Sequence, residues 1–473
     1  MSPEPSTKKL TPSDIAHQEA IQKLKENGGL VAAHSLGSGK TLLSLRAARE
    51  LGGKSLFITP ASLVSNVHKE EDKHNIHTGA EVLSYEKAVN DADRLRKKDY
   101  NLVVFDEAHK LRNADTQRAK VLADIASRAK HRLLLTATPS YNNPEDLGKL
   151  VNIAANKTVF PSDHKKFEEE FTQTRTVKPK LLDRILHGAK PYTVDETHIP
   201  KKYEPYLKKF VHKYDATATV SEHFPSIKEE KVHVPMSRRQ EKLYDYYEGK
   251  LPGALKWKIR MGIPSDKREA ARLNVFGNSL RQISNGTQAF SKEPEHEPLS
   301  PKITHAAERL HARYKSDKNF RGLVYSNFLK SGIEPYSAEL KRRGIPHRVL
   351  TGSLSKAERQ QIVNEYNTGK TPVMFISSAG AEGLDLKGTK LVQVMEPHFN
   401  KSKISQVVGR ARRFKSHDHL PPSERHVEVE HYLSVKSPTM FNKHPDKTID
   451  QYLSDMSEEK HEQTEKIMKK IPS

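Results

Sequence analysis

Two separated stretches of this chain alternate short apolar segments with helical ones, and that rhythm constrains the fold more tightly than any single motif. In the first stretch the candidate strands are Leu30–Ala33, Ser55–Thr59, Asn101–Phe105 and Arg132–Thr136. In the second they are Leu323–Ser326, His347–Leu350, Val373–Ser377, Leu391–Met395 and Val427–Val435. Short apolar runs ending in polar or Gly-containing turns are the pattern of buried parallel strands. With helices such as Tyr336–Arg343 and Lys356–Asn367 between them, they predict two α/β layers, each with its own parallel sheet. The intervening residues are rich in Lys, Glu, His and Tyr, and KKFEEEF, KYEPYLKKFVHKY and SRRQEKLYDYYEG read as helical. The expected division is therefore a disordered tail over 1–11, a first lobe over 12–155, a mostly helical insertion over 156–299, a second lobe over 300–440, and a C-terminal helix and tail over 441–473.

Charge narrows the partners. Eighty Lys and Arg stand against 59 Asp and Glu among 473 residues, a formal charge of +21. A surplus of that size points to a polyanion, since each neutralised phosphate releases condensed counterions. A basic soluble protein without such a partner is the plainer reading of charge alone. Cysteine is absent, which excludes disulfides and thiolate metal sites and fits a reducing, intracellular compartment. No apolar run approaches the ~18 residues of a membrane span, and the polar, Pro-containing start lacks the apolar centre of a secretion signal. A membrane or secreted protein is not expected.

The chemistry begins at HSLGSGKT, His34–Thr41, between a strand and a helix. Gly37 and Gly39 allow a tight backbone turn, so the N–H groups of Leu36, Gly37, Ser38 and Gly39 can face phosphate oxygens. The following helix N-terminus adds partial positive charge. Lys40 is placed to reach the β- and γ-phosphates of ATP, and the Thr41 hydroxyl to ligate Mg²⁺. Standing alone, the segment is also compatible with a simple Gly-rich turn. LVVFDEAH ends an apolar strand with Asp106 and Glu107, where open α/β sheets bind ligands. Asp106 suits a metal contact through water and Glu107 a base for the attacking water. An acidic pair there can equally cap a helix, but its order after Lys40 is a nucleoside triphosphatase signature. LLLTATP closes the next strand at Thr136–Pro139; its hydroxyls suit a link between nucleotide and track, or an ordinary turn.

Far downstream, QVVGRARR spans Gln406–Arg413. Arg410 and Arg413 stand three apart, so on a helix they share a face, and a guanidinium suits the charge of a transferring phosphoryl group. A solvated or nucleic-acid-binding face is the plainer reading. The preceding SSAGAEGLDL (Ser377–Leu386) supplies Gly383 for close backbone approach, and Glu382 and Asp385 for contact with a ribose or the arginines. ATP bound between two lobes is the arrangement this spacing suggests, with closure and opening moving one lobe past the other.

These segments, with His17–Gln18, ITPASLVSNVHKE, LSYE, VYSNF and TGSLSKAERQQIV, stand in the order of the superfamily 2 helicase motifs over Ser13–Arg413. The chain resembles the Swi/Snf-type translocases in PASLVSN, TPSYNN, FPSIKEEKVHVPMSRRQEKLY, LRQISN and SPKI. FKSHDHLPPSERHVEVEHYL followed by TIDQYL is similar to the compact Swi/Snf-related helicases of large DNA viruses and phages. The resemblance implies two RecA-like lobes and a monomeric, nucleic-acid-dependent ATPase using ATP and Mg²⁺, with protein partners unspecified. Gln18 would read adenine and Thr41 bind phosphate and Mg²⁺, while Lys40, Asp106, Glu107, Gln406, Arg410 and Arg413 would form the catalytic set. His34 and Ser35 stand where the family has an acidic pair, Ala137 where it commonly has Gly, and Asp385 where Asn is typical.

Double-stranded DNA is the expected track. Contacts to it should fall mainly on phosphates, with Pro60–Asn66, Arg112–Asn113 and Thr351–Gly352 as candidates and Lys208–Lys213 as a weaker one. Few aromatics interleave with the basic groups, which disfavours a single-strand stacking channel. A strand-separating DNA or RNA helicase and an ATP-gated clamp acting in viral or phage transcription or replication are the alternatives. A metal hydrolase built on His417 and His419 lacks an evident third ligand.

Overall fold

The computed structural model describes residues 10–112, 116–137, 144–177, 192–219, 223–265, 267–378, 384–398, 401–438 and 445–469. The backbone divides into two compact units, Met1–Ser221 with Lys460–Ser473, and Glu222–Glu459.

The first unit starts with helix α1 (Pro12–Asn27), whose Thr11 and Asp14 form a capping box and whose chain direction reverses at Gly28, φ 67°. The strands β1 (Gly29–His34), β2 (Ser55–Thr59), β3 (Glu81–Ser84), β4 (Leu102–Asp106) and β5 (His131–Thr136) follow, with helix α2 (Lys40–Leu51) after β1. An antiparallel hairpin, β6 (Thr172–Val177) and β7 (Tyr192–Thr197), precedes β8 (Val211–Tyr214). The sheet order is β3-β2-β4-β5-β1-β8, parallel throughout. Every residue of β1 and β2 is buried, because helices cover both faces; Val31, Phe105 and Leu134 pack on one side, Leu30, Val104 and Leu135 on the other.

The second unit contributes β9 (Ser226–Pro235), β10 (Gly322–Tyr325), β11 (His347–Leu350), β12 (Val373–Ile376), β13 (Leu391–Val394) and β14 (His426–Val435). These order as β11-β12-β10-β13-β14-β9, again all parallel. Two six-stranded parallel sheets flanked by helices are the two RecA-like lobes that the alternation predicts.

The stretch read as mostly helical needs a correction at two places. KYEPYLKKFVHKY is helical only over Glu204–Phe210 and then becomes β8, and SIKEEKVHVP is β9 rather than helix or loop. Both are edge strands. β9 is largely exposed and carries Lys and Glu on its outward positions, as edges do to resist further pairing, so no apolar run marks it; only its ten-residue register against β14 makes it a strand. Helices within this region, Arg238–Glu248, Gly253–Met261 and Lys267–Asn285, pack with the start of Ile449–Lys469 around Tyr244, Leu273, Leu280 and Tyr452.

LRQISN and SPKI turn out to be structural. Lys302 and Asp450 form an ion pair at 2.6 Å with both side chains essentially unexposed. Asn285 accepts from Lys302 through Oδ1 at 3.1 Å and donates through Nδ2 to buried Glu396 at 2.6 Å. Glu396 also accepts from Ser326 Oγ at 2.9 Å and Asn327 Nδ2 at 3.0 Å. The segments after β10 and β13 are thereby fixed to the helix Lys267–Asn285.

Candidate nucleotide site

Strand order brings the first unit's motifs together. β5 lies between β1 and β4, with Ala33 opposite Thr136 and Asp106 opposite Leu135. The phosphate loop, the buried Thr136 and the acidic pair therefore emerge side by side at the carboxyl edge of a parallel sheet, the ligand-binding edge of such folds.

Gly37 and Gly39 adopt φ of 79° and 76°, which only Gly enters without strain. A Cβ on Gly39 would also stand 3.2 Å from His17 Cε1. No side chain caps the α2 N-terminus, leaving its amides oriented for an anion. Ser38 Oγ is buried without a hydrogen-bond partner among the described residues. Lys40 Nζ donates to the carbonyls of His34 and Ser35 at 3.2 and 3.1 Å, so the ammonium lies folded over its own loop.

Asp106 accepts from Thr59 Oγ1 at 3.3 Å and from the Glu107 amide at 3.0 Å. Burial and the adjacent Glu107 carboxylate push its pKa up to about 6, against the pull of Lys40. A carboxylate crowded in this way suits a divalent cation, whose charge reverses the balance. Tyr85 donates its hydroxyl to the Asp106 carbonyl at 2.8 Å. Glu107 stands in the left-handed region at φ 52°, a conformation costing about 1–3 kcal/mol for a residue with a Cβ, and its Oε2 lies 3.3 Å from His109 Nδ1. With the orphaned Ser38 hydroxyl and the glycine cradle, this donor set fits a nucleoside triphosphate with Mg²⁺: backbone amides and Lys40 for phosphate, Thr41 and Asp106 for the metal.

Gln18 is exposed on α1 and lines a cleft of about 470 Å³ with Thr11, Asp14, His17 and Arg46. Residue-type reasoning missed the group beneath it. His17 is buried, donates from Nε2 to Ser38 O at 2.9 Å and accepts from Arg46 at Nδ1, 3.1 Å, while Arg46 donates to Asp14 at 2.6 Å. Ser38 O can only accept and Arg46 can only donate, which fixes this tautomer. Burial lowers the His17 pKa to about 4. Helical spacing marks Asp14, His17 and Gln18 as neighbours on α1, yet nothing in the sequence pairs them with Arg46.

In the second unit, Gln406 and Arg410 lie on the helix Lys401–Ala411. Arg413 lies beyond its end, so the helical face expected for the two arginines is corrected. The helix ends because the Arg413 amide donates to Ser416 Oγ at 3.3 Å instead of continuing the helical ladder, while Arg412 Nε reaches Pro225 O at 3.2 Å. Arg413 pairs with Asp385 at 3.6 Å, one of the two contacts foreseen for that aspartate. Gly383, Glu382, Asn113, Thr138 and Pro139 lie outside the described residues. His417 is no metal ligand here: its ring nitrogens engage Ser416 Oγ at 2.9 Å and Thr389 O at 2.8 Å, and among the described residues no His, Asp and Glu cluster could hold a metal. No described helix is long and apolar enough to cross a membrane.

Comparison with known proteins shows the family. The SNF2-related domain matches residues 58–289, which hold Asp106 and Glu107, and the helicase conserved C-terminal domain matches 302–415, which hold Gln406, Arg410 and Arg413. A protein of Acanthamoeba polyphaga mimivirus named as an ATP-dependent RNA helicase is 30% identical over 94% of this chain and 94% of its own length. An African swine fever virus termination factor NPH-I homolog is 24% identical over 91% of this chain and 74% of its own. The ISWI chromatin-remodelling complex ATPase of Saccharomyces cerevisiae is 24% identical over 81% of this chain and 35% of its own.

Proposed function

Since this chain belongs to the SNF2-related helicase family and is a nucleic-acid-dependent ATPase, we propose that it couples ATP hydrolysis to translocation along double-stranded DNA. The carrying observation is that the loop leading from β1 to Lys40, Thr136 at the end of β5, and Asp106 with Glu107 at the end of β4 emerge side by side. A formal charge of +21 suits a track held through its phosphates. The scarcity of aromatics among the basic groups favours duplex over a stacked single strand.

Gln18 is assigned to adenine. The amides of Leu36–Gly39 and the Lys40 ammonium bind the phosphates; Lys40 exchanges its two backbone carbonyls for phosphate oxygens. Thr41 and Asp106 hold Mg²⁺, which when bound neutralises charge on the phosphate oxygens. Glu107 orients the attacking water and accepts its proton. Gln406, Arg410 and Arg413 act on the transferring group, the arginines as charge clamps, with Gly383 and Asp385 assisting. Pro60–Asn66, Arg112 and Thr351–Gly352 are the proposed phosphate contacts of the track, each just beyond a strand or acidic motif of its own unit.

The mimivirus relative's name favours a second reading, RNA as the track. ATPase rates with duplex DNA, single-stranded DNA and RNA at matched salt decide between them. Strongest stimulation by duplex DNA supports the proposal; equal turnover with and without duplex DNA removes it, and stimulation by RNA alone replaces it.

A further inference from the structure

The phosphate loop is fastened at its start to β8 through His34 and Ser35. His34 Nε2 lies 2.9 Å from His212 Nδ1 across the β1–β8 pairing. Ser35 donates its amide to Tyr214 O at 2.9 Å, and Ser35 Oγ accepts from the Ala216 amide at 2.9 Å. His34 and Ser35 are also the residues whose carbonyls receive Lys40 Nζ. One pair of residues thus faces the phosphate-binding lysine with its carbonyls and β8 with its remaining polar groups.

Proton positions make the His34–His212 contact directional. His212 Nε2 faces the Glu19 carboxylate at 3.6 Å, a contact that favours the tautomer with the His212 proton on Nε2, in which Nδ1 accepts from His34 Nε2–H. His34 is fully buried, and its Nδ1 has no partner among the described residues. Removal of the His212 acceptor therefore strands the ring with no hydrogen bond at either nitrogen, a burial that is costly for polar groups. β8 is followed directly by the short helix Ala216–Thr219.

We propose that His212 is a positioning residue for the phosphate loop, and that β8 carries the loop's nucleotide-dependent state into the helix Ala216–Thr219 that follows it. This rests on the ATP-driven reading above. It gives an edge strand with no catalytic side chain a share in coupling: when Lys40 moves from its carbonyls to a phosphate, the residues it leaves are those clasped to β8.

The test uses the full chain with His212→Leu, which keeps apolar bulk without an acceptor, and His212→Asn, whose Oδ1 branches from the same carbon as the lost Nδ1. ATPase is measured against ATP concentration, with and without the stimulating nucleic acid, alongside thermal melting. His212→Leu is expected to raise KM for ATP and lower the stimulation ratio, each by roughly tenfold, the scale of one buried group left unpaired; His212→Asn should restore most of both. Wild-type KM and stimulation ratio in His212→Leu overturn the proposal, as does a decline that only follows the folded fraction. Equal impairment in His212→Asn also overturns it. If no nucleic acid stimulates the unaltered chain, the translocation reading fails, and the KM comparison still decides the positioning role.

Discussion

His17 donates from Nε2 to the carbonyl of Ser38 at 2.9 Å, tying the buried face of α1 to the middle of the phosphate loop. Asp14, through Arg46, holds the ring from its other side. The helix carrying the proposed adenine-reading Gln18 and the loop proposed to hold phosphate are thereby one rigid piece, organised around a neutral histidine.

That neutrality has a consequence in acid. Burial depresses His17 and His417 to about 4 each, and His34 to about 2. An unfolded histidine protonates near 6.5, so below that pH the unfolded state binds more protons and stability falls as pH falls. At pH 5, His17 and His417 should each remove about 2 kcal/mol. Urea denaturation between pH 7.5 and 5 should show the loss beginning near 6.5; a flat profile to pH 5 contradicts the neutral assignment.

Glu107→Gln should retain ATP binding while steady-state turnover falls by roughly 10²–10⁴, the usual contribution of a positioned base. Folding should be unaffected, because Gln replaces Glu without altering the left-handed backbone. Fluorescent-nucleotide binding beside phosphate release checks both halves, and normal turnover refutes the assigned base.

Arg413→Ala should reduce turnover by roughly 10³ or more with ATP affinity kept, as for other arginine fingers. Its 3.6 Å contact with the exposed Asp385 adds little stability, so the melting temperature should hardly move. A loss of affinity equal to the loss of rate would instead make Arg413 a ground-state binding group.

Lys302→Met should destabilise the second unit by about 3–5 kcal/mol, because it leaves Asp450 charged, buried and without its cation. Lys302→Met with Asp450→Leu should recover part of that, the remainder reflecting the Ser434 amide that now bonds Asp450 at 3.0 Å. Chemical denaturation of both variants measures it; equal stability of the single variant and the unaltered chain would mean the pair carries no stabilising role.

The nucleotide-site motifs were legible because their chemistry is local. A glycine loop between strand and helix, or an acidic pair ending an apolar strand, needs only contiguous residues; Lys40 opens the helix after such a loop, and Asp106 and Glu107 stand at such a strand end. Buried central strands were equally readable, since both faces must be apolar; the expected Ser55–Thr59 matches the observed bounds. The edge strand His347–Leu350 was read with its observed bounds, but the edge strands β8 and β9 were not. β8 and β9 face water on one side, so their polarity resembles that of a solvated helix, and only pairing with β1 and β14 defines them.

The same division separates motif from support. The sequence by itself determined the two α/β layers and the residue types for phosphate and metal, because periodicity and motif order are properties of neighbouring residues. Tertiary structure alone decided that Arg46 would hold His17, that His212 would meet His34 across 178 residues, and that Arg413 would fall outside its helix. Such partners are chosen by which strands and helices pack together, and by the requirement that buried polar groups find hydrogen bonds wherever the chain supplies them.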